Sequence, residues 1–286
     1  MSTAPHQGHN HGHDHGHDHG ASGRSLPWEG DSHGFSWHGR ELSASGFETD
    51  TGQGDERLRA AAQAVADDPS PEHEQQLMDR VAAARWLVPI VAVPVDTQIH
   101  DGMRVEGHAE MAAVTLTGRD GESALPVFSG IDSLAAWDPQ ARPVPMTSDR
   151  AAQAAVSEGC ATMLLDLGSA YAVALRPSMV WALAFARPWL PSHVDDFVAS
   201  SVVRAVGDEE IVRFHRLGPA RPIGSGGLQI TLGLAAGLTH DDVAALATRV
   251  GERLAADGEF RARVDAVSFA IEAADHSASV ASPSTT

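Results

Sequence analysis

Apolar residues recur along this chain with two different periods, and the alternation between them lays out the elements. Leu58, Ala61, Ala62 and Val65 fall at helical spacing, which predicts a helix from Asp55 to Ala66 that Asp67-Asp68-Pro69 interrupts. Ser70 and Pro71 then read as the N-cap and first residue of a second helix. Glu72 and Glu74 lie at the positive end of its dipole, and Leu77, Met78, Val81 and Ala84 form its buried stripe. The unbroken apolar run from Trp86 to Val93 predicts a strand buried on both faces, and Pro89 places it at or near a sheet edge. Pro94 to His108 is polar and reads as a loop. A hairpin follows, from Glu110 to Thr117 and back from Glu122 to Phe128, around the turn Gly118-Arg119-Asp120-Gly121.

Asp132 to Trp137 is expected to be a short helix, Ala141 to Met146 an extended crossing, and Ser148 the cap of a helix through Glu158. Ala161 to Leu167 and Tyr171 to Leu175 read as a strand pair around Gly168-Ser169, and Pro177 opens a helix through Ala186. Pro188, Pro191 and Ser192 punctuate the chain near Trp189 and suggest a domain boundary. Beyond it, Val198 to Val206, Ile211 to Leu217, Leu228 to Leu234 and Ala266 to Ala273 have the composition of strands. Asp241 to Ala256 is an amphipathic helix starting at Thr239 or His240. This order predicts a three- or four-stranded antiparallel sheet covered on one face by a helix. The expected fold class is therefore α+β (mixed α/β). A larger domain with a mixed sheet and flanking helices spans 55–190, and a smaller sheet-and-helix domain spans 191–275. Residues 1–54 and 276–286 are too poor in aliphatic side chains to offset the entropy of ordering and are expected to be disordered.

Composition narrows the function. All twenty basic residues are Arg, against thirty-eight carboxylates, giving a formal charge of −18 over 286 residues. Such a surface repels nucleic acid and anionic lipid, so basic or metal-loaded partners are favoured over polyanions. Cys160 is the sole cysteine, which excludes an intrachain disulfide and a thiolate metal cluster within one chain. The N-terminus lacks the order of a secretory signal, and no apolar run reaches the ~18 residues needed to span a bilayer. A cytoplasmic protein with no membrane span is expected.

The most direct chemistry lies in the leader, where seven histidines fall within the first nineteen residues. His9, His11, His13, His15, His17 and His19 alternate with Gly, Asp or Asn, and Asp14 and Asp18 add carboxylates. Imidazole is the commonest metal ligand among side chains, and a chain presenting it at every second position can wrap several ring nitrogens around one Zn, Ni, Co or Cu ion. Affinity should fall as pH drops through an imidazole pKa of ~6.5, because a protonated ring has no lone pair to donate.

Other candidates are weaker. Trp28 to Trp37, with His33 and His38, could be a short docking motif, although a linker with stray aromatics accounts for it better. His100, Asp101, Glu106 and His108 could form a second metal site but more often such residues solvate a loop. Cys160 leads into Ala161-Thr162-Met163-Leu164-Leu165, the setting of a buried small hydrophobe more than of a thiolate nucleophile. Gly224-Ser225-Gly226-Gly227 precedes a strand, with no Lys after it, so it reads as a turn and not a phosphate cradle. Val180, Trp181, Leu183 and Ala184 with Trp189 read as a stripe that seals the domain interface. No nucleophile elbow, His-Glu-x-x-His pair or Cys-x-x-Cys occurs.

The residues Glu110 to Leu116, Asp120-Gly121, Ala124 to Ser129, Leu134 to Trp137, Ala141 to Pro145 and Leu164-Leu165-Asp166 together resemble the SseB family, and more specifically its actinobacterial branch. The resemblance covers about residues 56 to 190, and the later part is similar to the second domain of relatives. It implies architecture and carries no catalytic residues onto this sequence. Two departures stand out: Phe128-Ser129-Gly130 replaces the usual Phe-Thr-Ser, and the histidine-rich leader is an addition. The resulting expectation is a non-catalytic interaction module with a metal-binding leader and an unidentified protein partner. The competing classes are a thiol-dependent sulfur-transfer enzyme using Cys160 and a metal storage or delivery protein.

Overall fold

The structure is a computed structural model and describes residues 46, 47, 49–94, 99–100, 103–104 and 109–274. Two helices lead: α1 (Glu56–Asp67), capped by the Asp55 carboxylate, and α2 (Pro71–Ala83), capped by the Ser70 hydroxyl. Their apolar stripes, Leu58, Ala62 and Val65 on one and Leu77, Met78 and Val81 on the other, are buried as the periodicity required. Contacts with the body begin before α1, where Asp50 pairs with Arg85 and the Gly52 carbonyl accepts from the Ile131 N–H.

The first sheet has the order β4 (Ala109–Ala113), β1 (Arg85–Pro94), β7 (Arg142–Thr147), antiparallel throughout. β1 is thus central, contrary to the edge position that Pro89 suggested. The reason lies in the register. Leu87 exchanges both backbone hydrogen bonds with Phe128, whereas pairing with β4 starts only at Ile90. Pro89 points its nitrogen at the gap between these two partners, where no donor is missed, and its carbonyl still accepts from the Val114 N–H. On the other side Pro89 faces Pro143 and Leu87 faces Pro145 in non-hydrogen-bonded pairs. Both β7 prolines therefore turn their nitrogens to the open edge.

The second sheet has the order β5 (Leu116–Thr117), β6 (Ser123–Val127), β8 (Thr162–Leu165), β9 (Val173–Leu175), with β6 and β8 parallel. The expected hairpin strand from Glu110 to Thr117 is broken: β4 pairs with β1 and β5 with β6, so the strand changes sheets at Val114 and Thr115. The Gly118 to Gly121 turn forms as expected, with the Asp120 carboxylate accepting from the Glu122 N–H. Two further strands, β2 (Ile99–His100) and β3 (Met103–Arg104), pair within the stretch expected to be a plain loop.

Three helices complete this part: α3 (Ile131–Trp137), α4 (Ser148–Ser157) and α5 (Pro177–Ala184). Ser148 does not cap α4 as expected. Thr147 holds that position, and the buried Ser148 hydroxyl donates to the Val81 carbonyl while accepting from the Trp86 indole at 3.0 Å. Trp86 and Val88 enter the main core with Leu125, Val127, Met163 and Leu165, while Leu87, on the opposite face of β1, packs with Phe128 and Leu134.

Beyond the short 3-10 turn Ser192–Val194 lies α6 (Asp196–Val206), where a strand was expected. Its β-branched residues suggested a strand, but Val198, Ser201, Val202 and Ala205 follow the helical period, and Asp195 caps the first turn by accepting from the N–H groups of Phe197 and Val198. The third sheet has the order β10 (Val212–Pro219), β11 (Gly227–Leu234), β12 (Ala266–Ala273). It is mixed and not antiparallel throughout, because α7 (His240–Ala256) and α8 (Gly258–Arg261) cross between β11 and β12 and make that pair parallel. α7 starts at Thr239, whose hydroxyl and the Asp242 carboxylate form a capping box. Leu228, Ile230, Leu232 and Leu234 bury against Val198, Val202, Leu246, Val250 and Leu254. The fold class is α+β.

Candidate functional site

Arg176 is the hub of the densest polar cluster among the described residues. It precedes Pro177, whose ring starts α5, so the backbone there is extended and the guanidinium projects back toward α2. It donates to both oxygens of Glu74 at 2.5 and 2.9 Å, to Asp265 at 3.0 Å and to the Gly224 carbonyl at 3.2 Å. Asp265 also accepts from the N–H and hydroxyl of Ser178, and that hydroxyl accepts from the Trp189 indole at 3.1 Å. Burial disfavours the charged guanidinium, yet the hydrogen bonds and charges of Glu74 and Asp265 outweigh it and hold Arg176 above its ordinary pKa. Gly226 is required here: its φ is +74°, and a side chain would collide with Arg176 and Asp265. Beside the cluster lies a narrow cleft of about 20 Å³, lined by Pro71, His193, Pro219, Ala220 and Arg263 among others.

A second buried pair joins the ends of β6 and β8. Asp166, 1% exposed and left-handed at φ 46°, accepts from the Ser129 N–H at 2.8 Å and the Ser129 hydroxyl at 2.7 Å. The pair locks the parallel strands at their carboxyl ends. Arg187 differs from both clusters. It donates to the Ala262 carbonyl, and burial followed by the nearby Arg263 charge pulls its pKa down.

Cys160 follows the last turn of α4 and is 3% exposed, packed in the main core. Burial, then the Glu158 carboxylate, pushes its thiol up, away from the thiolate that a nucleophile requires. Gly224 to Gly227 form the turn into β11, as expected. Val180, Leu183 and Trp189 are buried in the main core, and Trp181 stacks on the exposed Phe185 at 5.6 Å. His9, His11, His13, Asp14, His15, His17, Asp18 and His19 lie outside the described residues, as do the Trp28 to Trp37 motif, Asp101, Glu106 and His108. His100 sits in β2. Among the described residues no group of three or more His, Cys, Asp or Glu is placed to hold a metal ion, and no helix is long and apolar enough to cross a membrane.

The matching family model is the SseB protein N-terminal domain, over residues 58–182. The chain contains an SseB N-terminal domain. No curated protein and no solved structure matches the chain. The SseB domain runs from α1 into α5, so it includes Glu74 and Arg176, whereas Asp265 comes from outside it. The Arg176 cluster thus ties the SseB domain to the C-terminal sheet. Sequence reasoning missed it, since Glu74 and Asp265 stand 102 and 89 residues from Arg176. The one local signal was Glu74, read as a dipole-favouring first-turn acid when its carboxylate in fact turns inward.

Proposed function

We propose that this SseB-domain protein is a non-catalytic, cytoplasmic interaction module whose leader takes up divalent metal ions. The observation that carries the reading for the body is the closure of the Arg176 cluster: its carboxylates, guanidinium, hydroxyl and indole are engaged with one another, an arrangement that holds two parts of a chain together. Cys160, packed among apolar side chains with a raised thiol pKa, also fits a structural role. For the leader, the support is the donor set itself, six alternating imidazoles with Asp14 and Asp18 among them. Neutral imidazole suits Zn, Ni, Co and Cu, and an unconstrained set of donors discriminates little among them.

The test is calorimetric titration of the full chain with Zn²⁺ and Ni²⁺, beside a variant in which His9, His11, His13, His15, His17 and His19 are all changed to Ala. Uptake by the natural chain should weaken by at least roughly tenfold between pH 7.5 and 5.5, because each ring is then about nine-tenths protonated. The variant should lose most uptake at either pH. Equal uptake by the two proteins would remove the metal-binding part of the proposal.

A further inference from the structure

β12 is the outer strand of the third sheet, and among the described residues its free side is unpaired along eight residues. The Ala274 N–H donates to the Leu234 carbonyl, so even-numbered β12 residues turn their backbone groups toward β11. Val267, Phe269 and Ile271 therefore turn theirs outward, where no strand of the described residues meets them. Their side chains continue the rows of the buried Leu228, Ile230 and Leu232, with which they pair in parallel register. The helices cover those rows incompletely at this edge, leaving Val267 40% and Ile271 43% exposed. The other long outer strands carry guards that β12 lacks. β7 turns two prolines outward, and β10 carries Arg213 and ends in Pro219.

We propose that the open edge of β12 is an interface with a second copy of this chain, the two strands pairing antiparallel about a two-fold axis so that two three-stranded sheets become one. Charge argues for this occupant. Two copies, each at −18, repel wherever carboxylates meet, yet Ala266 to Ile271 carries no charge. The carboxylates at either end of that stretch are already matched within the chain, Asp265 by Arg176 and Glu272 by Arg216. The strand is also complementary to itself. Centring the axis on Phe269 sets Val267 opposite Ile271 of the second copy and Phe269 opposite its counterpart. These are the residues whose N–H and carbonyl groups face outward, so each opposed pair exchanges two hydrogen bonds while the apolar row runs on across the axis. Glu272 then falls opposite Ala266 of the second copy and meets no like charge.

Sedimentation equilibrium of the full chain, in EDTA so that no metal bridges the leaders, should show a mass rising with concentration toward twice that of one chain. A Val267→Lys, Ile271→Lys variant should raise the dimer dissociation constant by at least roughly tenfold, since four lysines would crowd one seam, with its far-ultraviolet circular dichroism unchanged. On the unmodified chain, amide hydrogen exchange at Val267, Phe269 and Ile271 should slow as concentration rises, which decides the matter even if the variant fails to fold. The proposal is overturned by a chain that stays monomeric up to ~1 mM, by a dimer that persists unchanged in the folded variant, or by dimerisation without added protection at these three amides.

Discussion

The two halves of this molecule close their sheets differently. In the SseB domain β1 is buried on both faces, Trp86 and Val88 toward the main core and Leu87 toward Phe128 and Leu134, and the rim strand β7 turns prolines outward. The C-terminal sheet buries one face beneath α6 and α7, and guanidinium-carboxylate pairs fasten its surroundings. Arg249 and Arg253 reach Glu209, Arg263 reaches Asp195 and Glu259, and Arg216 crosses to Glu272. A sheet covered on both sides owes its stability chiefly to packing, which is insensitive to salt and pH. One covered on a single side leaves a rim where charges complete the structure, and those contacts weaken with salt and acid.

The contrast can be broken or sharpened by substitution. The largest effect should come from Trp86→Ala, which empties the centre of the SseB core and removes the hydrogen bond that the Ser148 hydroxyl accepts; a loss of about 3–5 kcal/mol is expected in urea unfolding, with little dependence on salt. Next, Arg176→Met should cost about 3 kcal/mol, because Glu74 and Asp265 would be left as buried, unmatched carboxylates. Adding Glu74→Gln should restore part of that loss. A loss below about 1 kcal/mol from Arg176→Met alone would show that the cluster does not bind the SseB domain to the C-terminal sheet.

The smallest effect is expected at Glu209. The Arg249 hydrogen bond, then the charges of Arg249 and Arg253, hold its carboxyl below the usual range despite some burial. A depressed folded pKa means stabilisation that is complete above the unfolded value of ~4.3 and is lost as pH falls through the folded value. Thermal melts from pH 6 down to pH 3 should therefore show a shallower acid decline for Glu209→Gln than for the natural chain. The same comparison at Trp86→Ala should leave the slope unchanged.

Much of the fold was legible where a local signal and burial agree. Ser70 with Pro71, Asp55, and Thr239 with Asp242 each announce a helix whose apolar stripe then finds a core. Legibility failed where two local signals conflicted. Val198 to Val206 has strand composition on a helical period, and the Asp195 cap decided for helix. Pro89 argued for an edge, but a proline in a central strand is harmless where its missing donor faces a change of partner. The SseB resemblance was readable from the hairpin and turn residues and agrees with the family match over 58–182. The Arg176 cluster, by contrast, left almost no trace, since nothing local distinguishes its members from solvated charges.

The sequence by itself determined the acidic character, the single thiol, the alternating imidazoles, most helix starts and the strand-rich cores, because capping, periodicity and donor chemistry act over a few residues. Tertiary structure alone decided that β11 and β12 run parallel, that Ser148 serves Trp86 instead of capping α4, and that Glu74, Arg176 and Asp265 meet. Those outcomes depend on which distant segments share a boundary, and for buried charged groups it is the low dielectric there, more than the residue types themselves, that makes pairing compulsory.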